Sequence, residues 1–373
     1  PRFFQRTLHL KEPMGCRQEL PEQAFVPLEK YTDDELRERL DVIAISYLRL
    51  DAAHPDPDMC HLETICKMLD CFTRGTQKKA KAVYKPFPNN PEYSAAYLKR
   101  LGYHMGAGAG ERIVGVFMDW VSIYQDKPRN KYTGEEILRT SEQLKASEEA
   151  LKNMSIWYAH RRSIVWMLNY LPPDQKMRPS YTDGDGEFHP EALRSDFSES
   201  GWTTFERRVS QLVKAATVFS WRRLADASVV RTVGPCGGAY IEPPMHPRAF
   251  AAALARKTFT NGRSDCELVA GLYYDTLAGS LGHVGGLRYE TCGWGDEEVA
   301  RLAEVLEWAR EATRLDLRGN PRIGRRGYAA LAAALRDARA APKLQEIAVD
   351  YPEAPSATEL RAACEARGIT LTI

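Results

Sequence analysis

The chain has 373 residues, of which 44% are hydrophobic and 27% are charged, the composition of an ordinary globular protein. Its 51 basic and 50 acidic side chains nearly cancel, so the chain as a whole has no field that would attract nucleic acid or anionic lipid. No apolar run reaches the roughly 18 residues that a membrane-spanning helix needs. The length exceeds that of one typical core and predicts about two domains.

Eight cysteines are scattered along the chain, and most lie within apolar helical patterns. Cysteines in such positions are typical of reduced, buried thiols. We therefore expect an intracellular, reducing compartment. Because the sequence begins at Pro1 rather than at Met, removal of an N-terminal targeting segment is possible, so the cytoplasm and the interior of an organelle both stay open.

Residues 1–30 contain several prolines and little hydrophobic periodicity, which predicts an extended N-terminal arm on the protein surface. An α/β domain is predicted for 31–221. Within it, three short runs are apolar throughout rather than alternating, the pattern of strands buried on both faces of a parallel sheet. Helical patterns separate them, so the predicted fold class is a doubly wound, mostly parallel α/β sheet. The three runs are 42–47, 113–119 and 163–168.

Polar side chains follow these strands at points that should share one edge of the sheet. In open parallel sheets, ligands bind at the carboxyl ends of the strands, near the reversal of strand order. We therefore expect these side chains, and two residues beyond the third strand, to converge on one ligand-binding cleft. The candidates are Ser46, Tyr47 and Asp51 after the first strand, Asp119, Ser122, Tyr124 and Gln125 after the second, and Trp202 and Glu206 farther along.

Two segments connect this domain to the C-terminal region. Residues 169–200 form a loop rich in Pro, Asp and Gly that is longer than most structureless connections, so it is predicted to be a lid or a contact surface. Residues 222–282 contain a strand-like run at 228–233 and then two helical patterns. They predict a mainly helical extension.

The last segment, 283–373, repeats a short strand followed by a helix rich in Ala and Leu, with units about 30 residues long. Leu287, Leu315 and Ile347 occupy matching strand positions. The segment resembles a leucine-rich-repeat module of the ribonuclease-inhibitor kind, with Asn320 at the position where such repeats turn away from the strand. Repeat modules of this sort offer extended surfaces for binding a partner.

The stretch GWTTFE contains Thr203 and Glu206, three residues apart, which is the spacing of a capping box. In that motif, the two side chains satisfy each other's backbone N–H groups at the start of a helix. Phe205, Val209 and Leu212 then form the apolar stripe of an amphipathic helix. Capping therefore gives Glu206 a structural role that needs no chemistry.

Four stretches resemble, in the same order, the motifs of the heterokaryon-incompatibility (HET) domain family. HET domains in turn resemble Toll/interleukin-1 receptor (TIR) domains, whose flavodoxin-like fold agrees with the predicted strands. The resemblance covers residues 40–215, a little under half of the chain. The stretches are AISYLRLD (44–51), VFMDWVSIYQ (116–125), LKNMSIWYAHRRSIVWML (151–168) and SGWTTFERRVSQL (200–212).

In enzymatically active TIR relatives, a glutamate in a Trp-x-x-x-Glu setting cleaves the bond between nicotinamide and ribose in NAD. The resemblance implies that Glu206 holds this position and that Trp202 stacks on a ring of NAD. It also implies that Ser46, Tyr47 and Asp119 hold ribose or phosphate. A carboxylate there would stabilise oxocarbenium character, as carboxylates do in glycoside hydrolysis.

Many HET and TIR relatives act instead by assembling with protein partners, so two hypotheses follow. The first is a protein-interaction module in signalling or in the scaffold of a larger assembly. Its predicted contact surfaces are the repeat module, the arm 1–30 and the loop 169–200; self-assembly also stays open. The second is an NAD glycohydrolase, with NAD as substrate. Neither a nucleic-acid partner nor a membrane span is predicted.

The stretch DAAHPDPDMCH (51–61) brings His54, Asp56, Asp58, Cys60 and His61 close together in sequence. A short tetrahedral zinc site needs a second pair of ligands elsewhere, and no second Cys/His pair is evident. We therefore weigh a metal site against a proline-rich loop that leads into a helix, and predict the loop, with no metal.

Overall fold

The structure, a computed structural model, describes residues 2–51, 54–73, 113–126, 128, 130, 133, 135–160, 163–168, 181–182, 188–189, 197–212, 218–221, 230–233, 242–259 and 263–373. The chain forms two compact units. The predicted division into four segments, 1–30, 31–221, 222–282 and 283–373, stays a prediction. The first unit comprises Pro1–Trp157, Arg162–Glu199 and Phe219–Arg231, and the second comprises Tyr158–Arg161, Ser200–Val218 and Thr232–Ile373.

The central strand of the first unit is β1 (Leu40–Tyr47), with β2 (Ile113–Phe117) on one side and β3 (Ile164–Leu168) on the other. Both pairings are parallel. The last five side chains of β1 and all five of β3 are buried, as the continuous apolar runs predict. A mixed α/β fold with a parallel sheet is therefore confirmed.

In the described part of the chain, four further strands lie between β3 and the C-terminal repeats. Two of them, β4 (Tyr181–Thr182) and β5 (Phe188–His189), form an antiparallel pair within the predicted loop 169–200, most of which lies outside the described residues. The other two, β6 (Val218–Trp221) and β7 (Val230–Val233), extend the sheet in the order β2-β1-β3-β6-β7. β7 thus lies within the strand-like run predicted at 228–233.

Capping boxes define where two helices of the first unit begin. Thr32 Oγ1 accepts a hydrogen bond from Glu35 N at 3.3 Å, and Thr32 N donates to Glu35 Oε2 at 2.9 Å. Thr140 and Gln143 repeat the motif. Among the described residues, the helices that precede β3 are α1 (Arg2–His9), α2 (Asp33–Arg39), α3 (Cys60–Thr73), α4 (Asp119–Ser122), α5 (Ser141–Lys152) and α6 (Met154–Ala159).

The N-terminal segment departs from the extended arm that the sequence predicts. It begins with the helix α1 and continues through three 3-10 turns. Phe4, Met14 and Cys16 are buried in the same apolar core as Ile43 and Trp166. Each of these side chains removes apolar surface from water, and that burial folds the segment onto the unit.

In the second unit, short strands and helices alternate, as predicted for 283–373. The strands pair in parallel in the order β11-β10-β9-β8, with Leu287, Leu315 and Ile347 buried side by side. The strands are β8 (Gly286–Arg288), β9 (Arg314–Asp316), β10 (Glu346–Ala348) and β11 (Thr370–Thr372).

The helices of the second unit include two within 222–282, Pro247–Leu254 and Arg263–Gly282, where the sequence predicts two helices. In the described part of the chain, no helix combines the length and the apolar character that crossing a membrane requires. The helices are α7 (Gly201–Ser210), α8 (Pro247–Leu254), α9 (Arg263–Gly282), α10 (Asp296–Ala303), α11 (Arg325–Leu335) and α12 (Thr358–Arg367).

Asn320 ties two consecutive strand-helix units together through backbone hydrogen bonds. Its Nδ2 donates to the carbonyl oxygens of Tyr289 at 2.8 Å and Leu317 at 2.7 Å, and its Oδ1 accepts from the N–H of Trp294 at 3.0 Å. The residue is only 2% exposed. One carboxamide therefore satisfies three backbone groups that would otherwise lack a partner away from water.

Replacing Asn320 with Ala should lower the free energy of unfolding by about 3 kcal/mol, because buried backbone groups lose their partners. Urea denaturation followed by circular dichroism measures the change. Asn153→Ala is the matched control, since Asn153 Nδ2 also makes two hydrogen bonds but is exposed, and its loss should stay below about 1 kcal/mol. Equal losses in the two variants would contradict the role of Asn320.

Candidate functional site

Tyr47 and Asp119 meet at the carboxyl ends of β1 and β2. The Tyr47 hydroxyl donates a hydrogen bond to Asp119 Oδ1, which also accepts from the backbone N–H of Trp120 at 2.7 Å. Tyr47 is 7% exposed, and Ser46, the residue before it, is fully buried. Two candidate ligand-binding residues are thus bonded to each other, and this pair links the ends of neighbouring strands.

The other candidates after β2 shape the turn that follows the strand. Ser122 Oγ accepts from the N–H of Met118 at 3.2 Å. Gln125 Nε2 donates to the carbonyl oxygens of Asp119 at 2.9 Å and Ile123 at 2.8 Å. Because these polar atoms bond to backbone, they hold the Asp119 turn in one conformation.

The N-terminal segment packs against the same turn. The Arg17 guanidinium lies 5.0 Å from the centre of the Tyr124 ring, within cation–π range. Gln18 Nε2 donates to the carbonyl oxygen of Gln125 at 2.7 Å, and Gln18 Oε1 accepts from Gln125 N at 3.1 Å. Sequence reasoning did not find Arg17 or Gln18, because both lie far from the turn in sequence. Asp51, the remaining candidate of this unit, follows β1 and is partly exposed.

Two histidines in the stretch 51–61 are held neutral, because burial lowers the pKa of both. His61 Nε2 donates to the Leu48 carbonyl oxygen at 2.8 Å. His54 Nε2 donates to the Met14 carbonyl oxygen at 2.8 Å, and its Nδ1 accepts from Asp56 N at 3.0 Å. The His54 bonds therefore join the N-terminal segment to the loop after β1.

The Asp56 carboxylate lies at the N-terminus of α3. It accepts from the backbone N–H groups of His61 at 3.0 Å and Leu62 at 2.8 Å, where the helix dipole favours negative charge. A cavity of about 10 Å³, enough for one water, is lined partly by His54, Asp56 and Trp120. Among the residues that the structure describes, no group of three or more metal-ligating side chains is found. In this stretch, His54, Asp56 and His61 all bond to backbone groups.

The helix α7 begins earlier than the sequence predicts, so the expected capping box is wrong. Its N-cap is Ser200, and both Thr203 and Glu206 lie inside the helix. The start is set by Gly201, whose N–H donates to the Thr258 carbonyl oxygen at 2.9 Å. A Cβ atom at Gly201 would come within 2.0 Å of the Phe259 ring. This close approach cannot be read from the local sequence, which favours the Thr/Glu spacing instead.

Trp202 and Glu206 lie one turn apart on α7, which puts them on one side of the helix. Trp202 is partly buried, and its indole Nε1 donates to Asp265 Oδ2, in the first turn of α9, at 2.9 Å. Glu206 and Asp265 are each 7% exposed. The second unit therefore has two buried carboxylates on neighbouring helices, one of them bonded to Trp202. Sequence reasoning missed Asp265, because nothing in its local pattern distinguishes it from an ordinary helix-start acid.

The next residues on α7 form a charge cluster. Arg207 Nη2 lies 2.6 Å from Glu242 Oε1, and Arg208 Nε lies 2.9 Å from Glu242 Oε2. Glu242 N donates to Gln211 Oε1 at 2.9 Å. These contacts fix α7 to the segment before α8, and neither Glu242 nor Gln211 carries a sequence signal for this role.

The candidate residues therefore fall into two groups, one in each unit. Those after β1 and β2 belong to the first unit, whereas Trp202 and Glu206 belong to the second. Their convergence on one cleft stays a prediction.

No protein-family model matches this chain, and no curated protein or solved structure matches it. The resemblance to HET and TIR domains accordingly stays a prediction, which depends on the quoted motifs.

Burial of neutral His61 should make stability depend on pH. Since the pKa of His61 is lowered in the folded protein, the unfolded chain takes up a proton first as pH falls below the ordinary value of 6.5. Stability is then complete above that pH and falls below it, by up to about 1.4 kcal/mol per pH unit. His61→Gln keeps a donor for Leu48 and should flatten this slope.

Urea titrations between about pH 8 and pH 5 measure the effect as free energies of unfolding. His283→Gln is the control, because His283 is exposed and its removal should leave the slope unchanged. Parallel curves for the wild type and His61→Gln would refute the role of His61.

Proposed function

We propose that this protein is a protein-interaction module that acts in signalling or as a scaffold subunit of a larger assembly. The observation that carries the proposal is the exposed charged face of the four-stranded sheet in the second unit. Parallel sheets are usually covered on both faces. Here Leu287 and Leu315 are buried on one face, while Arg288 and Arg314 are exposed on the other. A charged, solvent-exposed sheet face is a suitable surface for a partner.

The repeat character of the second unit supports this function. Parallel strands alternate with helices, and Asn320 bonds to the backbone at the point where the chain leaves β9. We interpret 283–373 as a leucine-rich-repeat-like module, whose stacked units present matching side chains in rows. Such rows place side chains of neighbouring strands side by side on one surface, where a partner can contact several of them.

The strand order of the first unit supports a flavodoxin-like and TIR-like fold. The first three strands are ordered β2-β1-β3, and the later strands β6 and β7 follow on the β3 side. This matches the flavodoxin order, in which the direction of winding reverses between the first and third strands. The described cysteines carry free thiols, which agrees with a reducing compartment.

The interaction function predicts a complex of fixed stoichiometry. The tagged full chain, expressed in its source cells, should elute above the mass of one chain after native purification. Cross-linking before lysis should recover the same partner, or a second copy, in a constant ratio, with free tag as the control. Elution as a single chain, without any cross-linked partner, would contradict the proposal.

A second candidate function is cleavage of NAD by Glu206. The observation that favours it is that Glu206 is buried inside α7, six residues after the N-cap Ser200, so a capping box at the helix start does not account for its position. Trp202, on the same side of α7, supplies an aromatic ring, and Asp265 fixes that ring through its indole N–H. A buried carboxylate near an oriented indole suits oxocarbenium stabilisation.

This candidate predicts that the purified protein releases nicotinamide from NAD, and that Glu206→Gln lowers the rate at least about 100-fold while the fold is kept. Nicotinamide is followed by chromatography, and circular dichroism verifies folding. Glu267→Gln is the matched control, because it removes one exposed carboxylate from the nearby helix α9 and should leave the rate unchanged. The absence of turnover in every assembly state would exclude the enzyme.

A further inference from the structure

On one face of the sheet in the second unit, two arginines contact the Asp316 carboxylate and a third lies on the neighbouring strand. Arg318 donates two hydrogen bonds to Asp316, from Nε to Oδ1 at 2.9 Å and from Nη2 to Oδ2 at 2.5 Å. Arg314 Nη2 lies 3.6 Å from Asp316 Oδ2, and Arg314 Nη1 lies 3.3 Å from Glu346 Oε2. Arg288 is the direct neighbour of Asp316 in the β8–β9 register. Below, Arg288, Arg314 and Arg318 are called the arginine face.

The acids of this cluster lie beneath the arginines. The side chain of Asp316 is 8% exposed and that of Glu346 is 31% exposed, whereas Arg314 and Arg318 are 44% and 42% exposed. The guanidiniums beside Asp316 lower the pKa of its carboxyl group despite the opposing effect of burial, so it stays charged and holds them in place. The charge presented to solvent by the cluster is therefore positive.

Arg288 adds a guanidinium that has no hydrogen bond or ion pair within the part of the chain that the structure describes. The bidentate Arg318–Asp316 pair also leaves other N–H donors of Arg318 unused. Guanidinium groups match carboxylates in shape and in hydrogen-bonding geometry. The arginine face thus combines preoriented donors with one arginine that is free to bind.

We propose that the arginine face binds an acidic segment of a protein partner, a short run of Asp or Glu side chains in an extended strand or loop. This inference rests on the proposed interaction function and identifies the chemistry of its partner. Partner carboxylates bind Arg288 directly and bridge to the outer N–H groups of Arg314 and Arg318. Asp316 competes with the partner's carboxylates for the N–H groups of Arg314 and Arg318.

The size of the face favours a short acidic segment. Glu290 and Asp350 follow β8 and β10 near the arginines, and they would repel any anion that extends beyond the three guanidiniums, including a continuous phosphate backbone. A short run of carboxylates needs contact with the three arginines alone. Nucleic acid is therefore an outcome of the test rather than part of the proposal.

The test uses the full chain and a fluorescein-labelled deca-glutamate peptide, with fluorescence anisotropy at low and physiological salt. Arg288→Gln should weaken binding about threefold, and Arg288→Gln combined with Arg314→Gln about tenfold, since each removes one exposed charge contact. Arg325→Gln combined with Arg339→Gln is the matched control: both arginines are about 80% exposed, each in an ion pair, in the same unit. This control should change binding less than about twofold. Arg288 makes no hydrogen bond or ion pair within the described residues, so Arg288→Gln should fold normally. This single variant therefore tests binding at the arginine face even if the double variant fails to fold.

Asp316→Asn gives a prediction of opposite sign. It removes the internal competitor and should tighten deca-glutamate binding about threefold or more, although it weakens the ion-pair cluster that supports the sheet. A purely structural role for the cluster predicts weaker binding instead.

Three results would overturn the proposal: no binding of deca-glutamate at low salt, an equal loss in the Arg325/Arg339 control, or tighter binding of labelled oligothymidylate than of the peptide. Failure of this test, with a stable complex still recovered from source cells, leaves the interaction function intact and rejects the acidic partner. Peptide binding by a chain that stays single in source cells rejects the interaction function instead.

Discussion

The double-sided burial of β1 is the constraint on which the first unit depends. The strand is hydrogen-bonded to β2 along one edge and to β3 along the other, and its last five side chains are buried. The backbone that follows the strand therefore has N–H and C=O groups close to an interior without water. Each such group needs a partner. Leu48 O accepts from His61, Leu50 N donates to the Pro55 carbonyl oxygen at 2.9 Å, and Tyr47 donates to Asp119.

The same constraint explains how far the fold could be predicted from the sequence. Burial on both faces leaves a continuous apolar run, which identifies β1 and β3 directly, and the same kind of run identifies β2, although this edge strand is only partly buried. The N-terminal segment lacks such a signal, because its buried residues Phe4, Met14 and Cys16 do not belong to one continuous apolar run. The start of α7 was missed for a related reason: Gly201 is required by Phe259, which lies 58 residues later, and only tertiary packing reveals that contact.

Prediction of the site shows a similar division. The sequence predicts that residues after parallel strands face a ligand. Tyr47 and Asp119 do lie together, but the Tyr47 hydroxyl donates its hydrogen bond to Asp119. Asp265 and Glu242 escaped notice because an isolated acid has no periodicity. The arginine face was hidden by a different effect. The net charge of +1 is a sum over the whole chain, so it does not reveal a local excess of positive charge. That excess arises because the guanidinium groups are more exposed than the carboxylates beside them, as Arg318 and Asp316 show.

NAD cleavage and partner binding differ in whether the side chains that they need are buried or exposed. Glu206 is 7% exposed, so contact between its carboxylate and a ribose of NAD requires neighbouring groups to move and the ion to stay charged while they do. The indole N–H of Trp202 is already bonded to Asp265, which leaves only the ring faces for stacking. Binding at the arginine face requires no such rearrangement, because Arg288 and the outer donors of Arg314 are exposed in the folded chain. The interaction function therefore uses side chains that are exposed in the folded chain, whereas catalysis by Glu206 uses a buried carboxylate.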